Sequence, residues 1–235
     1  MCAVISAIIK DPKPSDFDMI RRVFHESRIR GLHATGMSVI FNNKVMTFKE
    51  PVPADKFIHL DNLEEMVNDD NILYLIGHCR YSTSDLEYNQ PIANDAHAIV
   101  HNGVITQELA ENWGKLFNYK CVTKNDSELV LHSDSPLEEF PDASMAVCEL
   151  TDNKKLLVYR NGKRPLYLNM LPNGCIITST ENIAIRAGIA VPSAEVPMNT
   201  YITFDENLAM HMSVVKTDNT DLQKVDYETE TIRLW

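Results

Sequence analysis

Cys2 stands directly behind the initiator methionine and at the head of the apolar run "AVISAII". A small second residue permits removal of Met1, and the processed chain then carries a thiol and a free α-amine on one residue. An α-amine has a pKa near ~8. At physiological pH it can therefore take the proton of its own thiol, directly or through a water, as an N-terminal threonine is activated. The plain alternative is that Cys2 is incidental, since small residues are common near N-termini. Other polar residues fall where strand ends or turns should expose them, in "RIRGLHATG" (28–36), "GHCRYSTSD" (77–85), "VHNGVI" (100–105) and "KNDSELV" (124–130). Each has a structural reading of its own. Arg30 and Arg80 can be surface charges, Asn102-Gly103 a turn with positive φ, and Asp126 a helix cap.

The elements that must position these residues are mostly strands. "AVISAII", "MSVIF", "ILYLIGHCRY", "AHAIVHN", "SMAVCEL", "KLLVYR", "GCIITS" and "TYITFD" are short β-branched or aromatic runs between Asn, Asp, Gly and Pro. "ILYLIG" and "GCIITS" are continuous, which predicts strands covered on both faces. "SDFDMIRRVFHESRIR" predicts a helix capped by Ser15, with Phe17, Ile20, Val23 and Phe24 on one side. "DNLEEMVND", "TQELAENW", "DSELVLHS" and "TENIAIRAG" predict shorter helices, the last stopping on Gly188. Strands with helices in small groups, without regular βαβ alternation, predict an α+β fold. The chain reads as one domain over residues 2–235, closed by an acidic tail.

Bulk composition narrows the function. A net charge of −11, without a Lys/Arg cluster, argues against nucleic acid or an anionic membrane as partner. No stretch approaches the roughly 18–20 apolar residues of a membrane span. The opening lacks the basic leader of a signal peptide, and position 2 is not the Gly that myristoylation requires. Cys2, Cys79, Cys121, Cys148 and Cys175 are odd in number and contain no CxxC. That argues against a disulfide framework or a zinc site and for a reduced, cytoplasmic setting.

Taken in order, the N-terminal nucleophile, "RGxxxTG", "HCRYST....NQPI", "HNGVI" and "NDSE" resemble class II glutamine amidotransferase domains. These are the glutaminase domains of asparagine synthetase, amidophosphoribosyltransferase and glucosamine-phosphate synthase. "YRNGKRPLYL" and "CIITSTENIAI" extend the likeness, which covers roughly residues 2–190. The resemblance implies the four-layer αββα sandwich of N-terminal-nucleophile hydrolases. It implies that Cys2 attacks the side-chain amide of glutamine, forms a γ-glutamyl thioester and releases ammonia, with no metal or cofactor. It assigns Asn102 and Gly103 to an oxyanion hole. Arg80 would take the α-carboxylate of glutamine in a bidentate fork, and Asp126 its α-ammonium. Ser82 and Thr83 would add hydroxyl contacts, and Arg30 would support the N-terminal segment.

The pattern breaks in places. His33 stands where the family usually has Asp, Ser84-Asp85 follow the arginine segment where glycosylamine-forming members often have Gly, and "RNGK" lacks the acidic residue of the family's "RDxxG". The residues after "STEN" are expected to complete the sheet and a tail rather than to house a synthetase, phosphoribosyltransferase or isomerase site. The first expectation is a glutaminase that hands ammonia to a separate synthetase subunit. The second is a stand-alone amidohydrolase acting on a γ-glutamyl amide of a larger metabolite. The third is an idle structural or regulatory relative, against which the retained Cys2, Arg80, Asn102, Gly103 and Asp126 speak.

Overall fold

The structure is a computed structural model that describes residues 2–82 and 89–215 and, in the tail, the backbone of 231–232. Met1, Thr83, Ser84, Asp85 and the rest of the acidic tail lie outside the described residues.

The first strand, β1 (Ala3–Lys10), shows how sequence becomes layer. Successive side chains point to opposite faces. Ile5, Ala7 and Ile9 therefore join one apolar cluster, while Val4 and Ile8 join another. A strand covered on both sides has no face for water, hence a run whose one polar member before Lys10 is Ser6. β2 (Ala34–Phe41) and β3 (Lys44–Glu50) form a hairpin through Asn42 and Asn43, both at positive φ. Asparagine tolerates that conformation at little cost. β4 (Ile72–Arg80) is buried at every position.

β5 (Ile92–Ala93), β6 (His97–His101), β7 (Ala146–Thr151), β8 (Lys155–Arg160) and β9 (Tyr167–Leu171) follow. They are succeeded by β10 (Gly174–Thr178), β11 (Ser193–Glu195), β12 (Thr200–Phe204), β13 (Met210–Val214) and β14 (Thr231–Ile232). The strands make two antiparallel seven-stranded sheets, ordered β11-β9-β10-β1-β4-β2-β3 and β14-β13-β12-β8-β7-β6-β5.

The helices are α1 (Pro14–Ser27), α2 (Ala110–Leu116), α3 (Ser127–His132), α4 (Pro136–Glu139) and α5 (Glu181–Arg186). α1 and α5 cover the outer face of the first sheet with Phe17, Ile20, Val23, Phe24, Ile183 and Ala184. Trp113, Leu129, Val130 and Leu137 of the other helices cover Ile99, Val147 and Tyr159 on the outer face of the second. Between the sheets lie Val4, Ile8, Tyr74 and Ile76 against Val100, Cys148, Val158 and Ile202. The result is the expected αββα sandwich. Truncating one of these side chains, as in Ile8→Ala, costs about 2–5 kcal/mol.

The helix termini differ from expectation. α1 begins one residue before Ser15, with Pro14 in its first turn and Lys13 at the cap; proline is pre-organised for that place and has no N–H to satisfy. "DNLEEMVND" lies in 3-10 turns over Ile58–Met66, broken at Asn62, and "TQELAENW" becomes helical only at Ala110. Among the described residues no helix is long and apolar enough to cross a membrane.

Candidate active site

Cys2 leads into β1 in the middle of the first sheet. The β1–β4 ladder pairs Ala3 with Cys79, so the next step in register sets Arg80 across from Cys2. Asn102 follows the last residue of β6 in the second sheet. The two sheets meet at this end of the sandwich, where the backbone nitrogen of Cys2 lies 3.3 Å from Asn102 Oδ1. The Arg30 Nε–H donates to the Cys2 carbonyl at 2.9 Å. Burial lowers the pKa of Arg30, an effect that the neighbouring Cys2 opposes.

The Asn102 side chain is committed at one end only. Its oxygen faces Cys2, while its Nδ2 is buried with no hydrogen-bond partner among the described residues. A buried amide donor left unmade costs about 1–3 kcal/mol, so this group is poised for an acceptor that arrives with a ligand. Beyond it, backbone bonds tie Asn102 to Ala146 and Val104 to Ser144. They skip Gly103, whose N–H stays off that ladder. Gly103 has φ +155°, and a Cβ there would stand 1.7 Å from the Ser144 carbonyl oxygen. Only glycine fits.

A buried polar chain holds this turn. Gln90 Nε2 donates to Ser127 Oγ at 3.1 Å, Ser127 Oγ lies 2.9 Å from His101 Nδ1, and His101 Nε2 lies 3.2 Å from the Ser144 carbonyl. The carbonyl can only accept, so Nε2 carries the proton, Nδ1 accepts from the serine hydroxyl, and the imidazole is neutral. Burial lowers the His101 pKa, consistent with that form. Gln90 also brackets the His101 backbone, accepting its N–H at 2.5 Å and donating to its carbonyl at 3.1 Å.

Asp126 stands at the head of α3 but does not cap it. Its Oδ2 accepts the backbone N–H of Ile105 at 2.6 Å and of Thr106 at 3.3 Å, so it secures the loop after Gly103. Both bonds fall on one oxygen, Oδ2. Arg80 is 8% exposed, and its Nη1 donates to Asn89 Oδ1 at 2.9 Å, which fixes the plane of its guanidinium. The Ser82 N–H donates to His33 Nδ1 at 2.8 Å, and the His33 ring packs on Tyr81. The imidazole thus supplies an acceptor where the family has a carboxylate. Thr83 lies outside the described residues.

Cys2, Asn102 and Arg30 are joined by direct bonds. Gly103 adjoins Asn102, Asp126 ties the loop that follows, and Arg80 neighbours Cys2 by register. The residues missed from sequence are the supports. His101 and Gln90 were visible in "HNG" and "NQPI", but their bonds span 11 to 43 positions. Arg164 was also passed over, though it lies in the quoted "KRPLY". Its Nε is buried without a partner, and its charge lowers the pKa of Arg30 and His101. Asn161, in place of the family's acid, donates its amide to the Ala143 carbonyl and accepts the Met145 N–H at 3.1 Å. A carboxylate could not donate, so the exchange braces the segment before β7 that carries Ser144. The other cysteines are unsuited to attack: burial pushes the Cys79 and Cys148 thiols up to about 12 and raises that of Cys175 further. A cavity of about 390 Å³ lies at the Lys10 end of β1, away from Cys2.

No protein-family model matches the chain, and no curated protein matches it in sequence. Solved structures do. Glutamine phosphoribosylpyrophosphate amidotransferase from B. subtilis superimposes with TM-score 0.68 over 91% of this chain at 18% identity. A structure described as the allosteric regulatory enzyme of purine biosynthesis gives the same values. The chain spans about half of each, 49% of their length. A glutamine aminotransferase class-II domain protein from Silicibacter pomeroyi matches over 92% of this chain and 100% of its own, at 12% identity and TM-score 0.55. The two stacked antiparallel sheets, their flanking helices and these neighbours show that the chain shares the αββα sandwich fold of these glutamine amidotransferase structures.

Proposed function

We propose that the chain is the glutaminase of a class II glutamine amidotransferase, with Cys2 as its N-terminal nucleophile after loss of Met1. The observation that carries this reading is the buried, unpartnered Asn102 Nδ2 beside Cys2. A purely structural asparagine would not keep its donor unmade at the head of a strand that begins with a thiol.

In this mechanism the Cys2 α-amine, held by Asn102 Oδ1, takes the thiol proton. Sγ then forms a bond to the γ-carboxamide carbon of glutamine. The carbonyl electron pair moves to oxygen, where Asn102 Nδ2 and the Gly103 N–H receive it; one such donor is worth about 10²–10³ in rate. Collapse of the intermediate breaks the C–N bond, and the ammonium of Cys2 returns the proton to the departing ammonia. Water hydrolyses the γ-glutamyl thioester to glutamate. Arg80 takes the α-carboxylate and Asp126 Oδ1 the α-ammonium, so the substrate is fixed at its far end by two charge-assisted contacts. The ammonia passes to an acceptor on a separate synthetase subunit.

Glutamate release by the purified protein, alone and with a candidate acceptor enzyme and its substrates, tests the reading. Turnover of glutamine that rises with the acceptor is expected. Rapid unaided cleavage of a γ-glutamyl metabolite, with glutamine poorly used, contradicts ammonia transfer. Full activity in protein that keeps Met1 contradicts the role of the α-amine.

A further inference from the structure

Behind the Asp126 side of the cleft, the loop 119–126 carries no helix or strand and is fastened to α3 by one buried carboxylate. Glu128 is 4% exposed. Its Oε2 accepts the Thr123 N–H at 2.6 Å and the Thr123 hydroxyl at 2.5 Å, while its Oε1 accepts the Val122 N–H at 2.7 Å. One turn along α3, His132 Nε2 lies 3.7 Å from the same Oε1. That is too long for a hydrogen bond, and among the described residues His132 is the only ion-pair partner that Glu128 has. Cys121 completes the group: its Sγ, a Glu128 carboxylate oxygen and a His132 nitrogen all lie within 4.8 Å of one another.

We propose that Cys121, Glu128 and His132 form a zinc-type metal site that clips the loop leading to Asp126 onto α3. Sulfur, imidazole nitrogen and carboxylate oxygen are the donor set of a borderline-soft divalent ion, which takes them at about 2.0–2.3 Å in a tetrahedron. A three-residue set leaves one position for water, on the side where His132 is 33% exposed. The ligands come together by small rotations of His132 and Cys121, because Glu128 is already oriented. The three bonds to its oxygens are the outer contacts that hold a ligating carboxylate in place. His132 is likewise oriented, stacked on Tyr119 at 5.7 Å between ring centres. Binding forms the metal–sulfur bond and sends the thiol proton to solvent. It also supplies the positive charge that a buried carboxylate lacks here. The spacing gives no sequence signal, because the ligands join a loop cysteine to an i,i+4 pair on a short helix.

Cobalt(II) titration of the full chain carrying Cys2→Ala, which removes the other partly accessible thiol, tests this. The expected result is one equivalent bound, with tetrahedral visible bands and a near-ultraviolet thiolate-to-cobalt band, displaced by zinc. Cys121→Ser should abolish the thiolate band, and His132→Gln should weaken binding about tenfold or more. Both side chains are partly exposed, so both variants retain the fold; circular dichroism of the metal-free proteins checks this. A titration with no thiolate band, or a band that survives Cys121→Ser, overturns the site.

Discussion

The two sheets furnish the two sides of the cleft by different means. On the first sheet, Cys2 and Arg80 are placed by backbone register: Ala3 pairs with Cys79, and the neighbouring step brings Cys2 and Arg80 side by side. On the second, Asn102 and Gly103 sit just past the end of β6, where the regular ladder stops. Side chains take over there. Gln90, Ser127 and His101 secure the turn from behind, and Asp126 secures the loop beyond it. The Cys2 side is thus as rigid as a central strand, and the Asn102-Gly103 side is as rigid as its hydrogen bonds. Damage to the first should remove the chemistry, while damage to the second should misplace it.

The largest effect tests the strand side. Cys2→Ala should lower glutamine hydrolysis by about 10⁴-fold or more with an unchanged unfolding midpoint, because the half-buried thiol contributes little to packing. On the other side, Asn102→Ala should lower kcat by about 10²–10³ and leave KM nearly unaltered, since its amide serves charge that exists mainly in the transition state. Asp126→Asn keeps an acceptor for Ile105 and Thr106 but removes the charge, so KM should rise by about 10–100-fold. Steady-state kinetics separates the two, and the reverse allocation means the roles are exchanged.

A smaller effect probes the support itself. His101→Phe removes one of the two hydrogen-bond partners of the Ser127 hydroxyl and of the Ser144 carbonyl, leaving Gln90 and the Val104 N–H as the others. Stability should fall by about 1–3 kcal/mol and kcat by about tenfold through misplacement of Gly103. His101→Gln, which restores a donor, should recover part of the loss in both chemical denaturation and turnover.

A separate effect, away from the chemistry, is on acid stability. His78, on β4, is buried between the sheets, and its pKa is lowered to about 3 by burial first and then by the nearby His101 and Arg80. A histidine depressed in the fold binds protons more readily when unfolded. Its contribution is therefore intact above the free imidazole value of about 6.5 and is lost at about 1.4 kcal/mol per pH unit below it, down to about pH 3. Unfolding midpoints between pH 6.5 and 4 should fall less steeply in His78→Gln, and an unchanged slope contradicts this assignment.

The same contrast explains what could be read from the sequence. "AVISAII" and "ILYLIGHCRY" announce central strands because both faces are apolar, and Cys2 and Arg80 lie at the ends of those runs. Asn102, Gly103 and Asp126 were legible as types at known places in a motif order. Their geometry was not, because it depends on bonds to Ser144, Ile105 and Thr106 made only after the second sheet forms. Ser15 and Asp126 looked like caps by residue preference alone. Tertiary demands overrode both, through a proline at the helix start and a loop that needed an acceptor. Arg164 and Asn161 went unassigned because a turn residue's reach cannot be read from its neighbours.

The central claim is that Cys2, once the N-terminal residue, forms the covalent intermediate. Its most direct test is peptide-level mass analysis of the mature protein after reaction with a glutamine-analogue electrophile such as diazo-oxo-norleucine. The account predicts a single adduct on a peptide that begins at Cys2, loss of activity in step with labelling, and no adduct on Cys79, Cys121, Cys148 or Cys175. Inactivation with the adduct on another cysteine, or with Met1 still in place, would contradict it.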